Sequence, residues 1–183
     1  FIIVKEEKEV IMKKIIVAQL VALLVLTGCT SAPSTKDVKL EDIHTAIKEA
    51  YGEDYIPNME FEAEFLEMEF GLTSDLYDEV IAELSMMSMH VDRLLIVRAK
   101  EGSADKVEEL LNEARDRKIE DTFAYPMNIA RLNATQVVRQ GDIMAFMILG
   151  AYPADDVIDE EVQIKFAKDE IQKGVDAFNS VFK

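Results

Sequence analysis

The sequence predicts an α+β fold: a single domain with a mainly antiparallel sheet of about four strands packed with helices, and a long C-terminal helix. Three observations carry this. Apolar residues recur at three- and four-residue steps in several segments, short apolar or β-branched runs of strand length lie between them, and two such runs are joined by Gly141-Asp142. Strands joined in pairs by short turns, with helices between the pairs, argue against a doubly wound parallel sheet, in which each crossover needs a helix of its own.

A leader stands ahead of the domain. Met12-Lys13-Lys14 is followed by an apolar run from Ile15 to Leu26, broken only by Gln19, and then by Thr27-Gly28-Cys29. A positive start, a short hydrophobic stretch and small residues at a cleavage point make a signal peptide. A permanent membrane span needs about 20 apolar residues, more than this run supplies. Leu26, Thr27, Gly28 and Cys29 resemble the signal-peptidase box of bacterial lipoproteins, in which the Cys thiol takes a diacylglyceryl group before cleavage on its N-terminal side. Cys29 is the only cysteine in the chain. The expected organisation is upstream translation at 1–11, a lipoprotein signal peptide at 12–28, a tether at 29–36 and the α+β domain at 37–183. The tether is small and polar, Thr-Ser-Ala-Pro-Ser-Thr-Lys after the Cys, and reads as flexible.

Leu40, Ile43, Ala46, Ile47, Ala50 and Tyr51 give the first helix an apolar face, and Gly52 suits its C-terminal cap. Between Glu60 and Phe70 strict alternation slips a register at Phe65-Leu66, whereas Phe61, Phe65 and Met68 are helically spaced before Gly71, so a short helix is expected. The stretch from Leu76 to Met87 reads as a strand in its later part. Leu94-Leu95-Ile96-Val97, wholly apolar between charged flanks, describes a central strand with both faces covered. Ser103 caps a helix striped by Val107, Leu110, Leu111 and Ala114, and Tyr125-Pro126 is expected to end it. Thr135 to Gln140 and Ile143 to Leu149 form a hairpin about Gly141-Asp142. Asp159 to Phe182 is one long helix with Ile164, Ala167, Ile171, Val175, Phe178 and Phe182 buried.

Composition narrows the function. The 183 residues carry 20 Lys+Arg against 36 Asp+Glu, a formal net charge of −16. Such a chain repels a polyanion, so no nucleic-acid partner is expected. A lone Cys excludes a disulfide scaffold. Removing residues 1–28 leaves an acidic chain long enough to bury one self-sufficient core. Diacyl modification of Cys29 would hold it firmly on a membrane, which makes the membrane its one expected partner by name and the outer face of the cell membrane its expected place.

No catalytic or cofactor signature is present, and neither enzyme activity nor a cofactor is expected. Ser103/Lys106 and Ser180/Lys183 both match Ser-x-x-Lys without the companion segments of penicillin-interacting enzymes. Met86, Met87, Met89 and His90 are the candidate metal ligands, since thioethers and imidazole suit monovalent copper. On a strand, however, Met87 and Met89 would face one way and Met86 and His90 the other, and Met is a common core filler. Asp155, Asp156, Asp159, Glu160 and Glu161 gather five carboxylates that suit calcium, but they also stand where negative charge complements the dipole of the last helix. His44 reads as a boundary residue of its helix, and the sequon Asn133-Ala134-Thr135 carries nothing in a bacterial lipoprotein.

The segments Met86 to Asp92, Lys100 to Glu108, Tyr125-Pro126-Met127 and Val137 to Asp142, taken with leader and tether, resemble a family of Gram-positive, Clostridia-like lipoproteins with a domain of unknown function (DUF 4358). The resemblance runs over nearly all of 37–183. It implies the address and the single α+β domain, and carries no catalytic residue. The expected function is a non-enzymatic, membrane-anchored module of the cell envelope binding a protein or small ligand, with capture of copper or calcium as the alternative. Both faces of the strand Ile143 to Leu149 are apolar. The N-terminal helix, with Ile43 and Ile47, is expected to cover part of one face, leaving a smaller apolar patch rimmed by acidic residues as the functional surface.

Overall fold

The computed structural model describes residues 35–183 except Thr122 and Asp155. The segment 1–11, the expected signal peptide at 12–28, Cys29 with its expected lipidation box and most of the expected tether lie outside the described residues. Thr35–Asp37 form a turn of 3-10 helix. It is held against the body of the domain by Arg98, which donates to the Thr35 and Val38 carbonyls at 3.1 and 2.5 Å, and by a bond from the Thr35 hydroxyl to Asp142.

Helix α1 (Leu40–Tyr51) buries Leu40, Ile43, Ile47 and Tyr51, which lie three, four and four residues apart, and stops at Gly52, whose φ is +55°. A two-residue strand β1 (Met59–Glu60) precedes helix α2 (Ala63–Phe70). Helical spacing prevails there because Leu66 and Phe70 are the residues that reach the core, and Gly71 ends the helix in the left-handed conformation. Strands β2 (Tyr77–Leu84) and β3 (Arg93–Ala99) follow, then helices α3 (Ala104–Ile119) and α4 (Pro126–Asn133), strands β4 (Gln136–Gln140) and β5 (Ile143–Ile148), and helix α5 (Glu160–Ser180).

The sheet has five strands in the order β1-β2-β3-β5-β4, and every neighbouring pair is antiparallel. The α+β class and the long final helix stand as expected, and the strand count rises from about four to five because β1 is too short to show a pattern. On the central strands alternate residues feed two cores. Leu94, Ile96, Ala145 and Met147 pack with Ile43, Ile47, Ile171 and Phe178 of α1 and α5. Leu95, Val97, Met144 and Phe146 pack with Leu66, Phe70, Val107 and Leu111 of α2 and α3. The molecule thus has three layers, helices on both sides of one sheet. All six residues of β5 are buried, so the expected apolar patch on the sheet face is absent from the described residues. The chain's own helices cover both faces.

Two further expectations are corrected. The helix opened at Ser103 ends at Ile119, before Tyr125-Pro126. Pro126 instead occupies the first turn of α4, where its missing N–H costs nothing and its fixed φ favours the helix. Strand β2 ends at Leu84, so Met86 and Met87 lie beyond it in the connection to β3.

Candidate functional site

Arg93 opens β3 opposite Ile148, the last residue of β5, so the residues before β3 and after β5 leave the sheet at the same end. Helix α4 lies beside them and contributes Arg131. The Arg131 guanidinium meets the Asp92 carboxylate in a two-point fork, Nη1 to Oδ2 at 2.9 Å and Nη2 to Oδ1 at 2.5 Å, and Nη2 also donates to the Gly150 carbonyl at 2.8 Å. Both side chains are essentially fully buried. Burial alone would disfavour the Arg131 charge, but the bonds and charge of Asp92 outweigh it and hold the guanidinium above its usual pKa.

The pair is extended by polar neighbours. The guanidinium lies 4.3 Å from the centre of the Tyr152 ring. Tyr152 donates its hydroxyl proton to Asn128 Oδ1 at 2.9 Å, and Asn128 Nδ2 donates to the Met89 carbonyl at 2.8 Å. Burial pushes the Tyr152 phenol upward. His90 Nδ1 stands 3.4 Å from the Tyr152 hydroxyl and 3.5 Å from Asp92 Oδ2. Gly150 is required where it is: its φ is +120°, and a Cβ there would lie 2.6 Å from Glu170 Cβ. Glu170 in turn accepts the Ala151 N–H at 3.1 Å, fastening this loop to α5.

Cavities flank the network. One of about 160 Å³ is lined by Met127, Arg131, Tyr152 and Gln163 among others, and one of about 200 Å³ by His90, Arg93, Lys118, Phe123, Tyr125 and Asn128 among others. Around them the connections expose large apolar side chains. Phe123 is 96% exposed, and Met86, Met87, Met89, Tyr125 and Met127 are exposed as well. Arg93 and Lys118 share the Glu69 carboxylate at 2.5 and 3.1 Å, which sets two cations beside this rim in an otherwise acidic chain.

A second polar cluster lies at the edge of β2. His44 Nε2 and the Tyr55 hydroxyl both reach Glu83 Oε2, at 3.1 and 2.6 Å, beside a cavity of about 300 Å³. Burial, reinforced by Glu83, drives the Tyr55 phenol far upward. His44 is therefore more than a boundary residue, since it ties α1 to β2.

The other sequence candidates separate. Ser103 stands at the start of α3 with no side-chain capping bond, and Lys106 pairs with Glu109. Ser180 donates to the Ala177 carbonyl. Asp159 caps α5 by accepting the Val162 N–H at 3.0 Å, and Glu160 and Glu161 lie in its first turn, which is the dipole arrangement rather than a calcium cage. Asp155 lies outside the described residues. Among the described residues no group of three or more His, Cys, Asp or Glu side chains is placed to hold a metal. Met87, Met89 and His90 lie in a turn closed by the His90 N–H on the Met87 carbonyl, with Met86 just ahead of it, and none of the four is on a strand.

Sequence reasoning missed Asp92, Arg131, Asn128 and Tyr152. The available signals were an Arg inside the apolar stretch Ile129-Ala130-Arg131-Leu132 and an Asp just ahead of the most apolar strand.

These features define a class: a three-layer α+β domain whose sheet ends in a buried, polar-capped ion pair. The model of the family described as Domain of unknown function (DUF4358) matches residues 50–149, more than half of the chain, and the chain belongs to that family. The match runs from the last turn of α1 through β5 and includes Asp92 and Arg131, while Tyr152 and α5 fall after it. Neither a curated protein nor a solved structure matches the chain. Among the described residues no helix is long and apolar enough to cross a membrane.

Proposed function

We propose that the protein is an extracytoplasmic lipoprotein of a Gram-positive envelope, held to the outer face of the cell membrane by lipid on Cys29. Its domain is a non-enzymatic recognition module that receives an envelope protein or peptide at the Asp92–Arg131 end of the sheet. The observation that carries the reading is the convergence there of three connections around a buried network: 85–92 exposes Met86, Met87 and Met89, 120–125 exposes Phe123 and Tyr125, and 149–159 exposes Ile158. Aromatic side chains and Arg dominate the energetics of protein contacts, and Met adapts to varied surfaces.

The address rests on the leader and its box. Mass spectrometry of membrane fractions is expected to find a lipid-bearing peptide that begins at Cys29, and a Cys29→Ser protein that still partitions with membranes would overturn the anchor. For recognition, a photoreactive residue at Phe123 is expected to cross-link a specific partner in cells, whereas one at Lys165, exposed on α5, is not. Equal labelling from both positions would refute it.

A further inference from the structure

We propose that the connection between β2 and β3 is a binding site for monovalent copper, with the thioethers of Met86, Met87 and Met89 and the imidazole of His90 as its donors. The inference stands on the loop and does not require the recognition reading.

On a strand these side chains would alternate between two faces, but the segment is not a strand. The His90 N–H donates to the Met87 carbonyl at 3.0 Å, closing a four-residue turn that folds Met87 back toward His90. The backbone of the loop is fastened from outside. Met86 N–H donates to Asn58 Oδ1 at 3.0 Å, Met87 N–H to the Ser85 hydroxyl at 3.2 Å, and the Met89 carbonyl accepts from Asn128. Such anchoring holds the loop backbone in place, and the exposed thioethers extend from it into solvent.

The three thioethers are not filling a core. Met86, Met87 and Met89 are 67%, 53% and 45% exposed, whereas Met144 and Met147 are fully buried between sheet and helices. The His90 ring is held from one side. Its Nδ1 faces the Asp92 carboxylate and the Tyr152 oxygen, whose own proton is committed to Asn128. Both neighbours of Nδ1 are acceptors, which favours the tautomer with the ring proton on Nδ1 and the lone pair on Nε2, at the other edge of the ring. A carboxylate behind a histidine fixes tautomer and orientation in metal sites generally. Here the carboxylate is itself fixed by Arg131.

The donor set selects the ion. Thioethers are neutral and soft, and a site of three thioethers and one neutral imidazole matches a soft monocation better than a hard dication, which wants oxygen ligands.

The test uses the full chain carrying Cys29→Ser, so that no thiol competes, titrated anaerobically with the copper(I) complex of bicinchoninate. The chain is expected to withdraw one equivalent of copper, with the methyl resonances of Met86, Met87 and Met89 and the His90 ring resonances shifting while those of Met59 and Met68 stay. A Met86→Leu/Met87→Leu/Met89→Leu variant keeps the apolar surface and the fold. It is expected to lose the ability to withdraw copper from bicinchoninate, because leucine offers no donor to a soft cation. Failure to withdraw copper, equal withdrawal by the leucine variant, or shifts at Met59 and Met68 in place of the loop would each overturn the site.

Discussion

The hydroxyl of Tyr51 in α1 is seated on Gly174 in α5: it accepts the Gly174 N–H at 3.1 Å and donates to the Glu170 carbonyl, also at 3.1 Å. Residues 170 and 174 are one hydrogen-bond step apart in an α-helix, so the phenol docks on the helix backbone itself. Only a residue without Cβ permits that approach, and α1 is thereby locked to α5 over the sheet face they share.

Gly174→Ala is therefore expected to destabilise. At an open helix position the change would gain about 1 kcal/mol. Here the new Cβ would stand 2.8 Å from the Tyr51 hydroxyl and 3.1 Å from Met147 Sδ. Overpacking of that kind costs about 1–3 kcal/mol, so the net change is a loss. Urea denaturation measures it, and adding Tyr51→Phe should restore part of the loss as a coupling between the two positions. A higher midpoint for Gly174→Ala would show that the close seat does not exist in solution.

Asp92 and Arg131 lead to the second expectation. Arg131→Met alone strands a buried carboxylate and should cost about 3–5 kcal/mol. Asp92→Leu together with Arg131→Met removes both charges and should cost less than Arg131→Met alone, because no uncompensated ion remains. Thermal unfolding of the two variants decides the matter. A double variant as unstable as the single one would mean that the pair acts through its bonds to Gly150 rather than through charge.

The fold that holds these residues was legible in the sequence to unequal depth. Leu94 to Val97 declared a doubly covered strand because four apolar residues in a row leave no face for water, and Gly141-Asp142 declared the hairpin because a two-residue turn needs positive φ, found at +62° on Gly141. The stripe from Ile164 to Phe182 did the same for α5. Such signals are local. The placement of α2 and α3 on the face opposite α1 and α5 is set by the paths of the connections, which no periodicity records. Helix α4 was hidden because Pro126 signals a break and a first helical turn alike. The Asp92–Arg131 pair joins residues 39 apart in sequence, and it exists because β3 and β5 meet at Arg93 and Ile148. The Met86 to His90 segment stands out by its residue types, while its turn depends on β2 ending at Leu84.

A third expectation concerns alkaline pH. Burial raises the Tyr51 phenol, against a smaller lowering by the Gly174 N–H, and burial together with Glu83 raises Tyr55. A folded-state pKa above the unfolded value of about 10 means that these groups contribute fully below pH 10. Above it the unfolded chain loses their protons first, and stability falls as pH rises. Urea midpoints should decline above about pH 10, and Tyr55→Phe should flatten that decline. A midpoint independent of pH between 9 and 11 would show that neither phenol is held protonated by the fold.

The last expectation follows from where the chain enters the domain. Thr35 is bound at the Asp142 turn and by Arg98, at the end of the sheet away from Asp92. Six residue steps separate Cys29 from Thr35, a reach of at most about 20 Å, and the seven residues of β3 put roughly 20 Å between the two ends of the sheet. A lipid on Cys29 would therefore keep the hairpin end near the bilayer and turn the Asp92–Arg131 end outward, and the negative charge of the chain would oppose its lying down on anionic headgroups. Ser180, at the end of α5 where Asn179 bonds Gln140, and Ser88, in the loop ahead of β3, are both exposed and mark the two ends. With Ser180→Cys or Ser88→Cys labelled by a fluorophore in the lipidated protein on vesicles, nitroxide lipids should quench the label at 180 strongly and the label at 88 weakly. Stronger quenching at 88 would place the Met- and aromatic-rich end against the membrane and remove the outward-facing recognition surface.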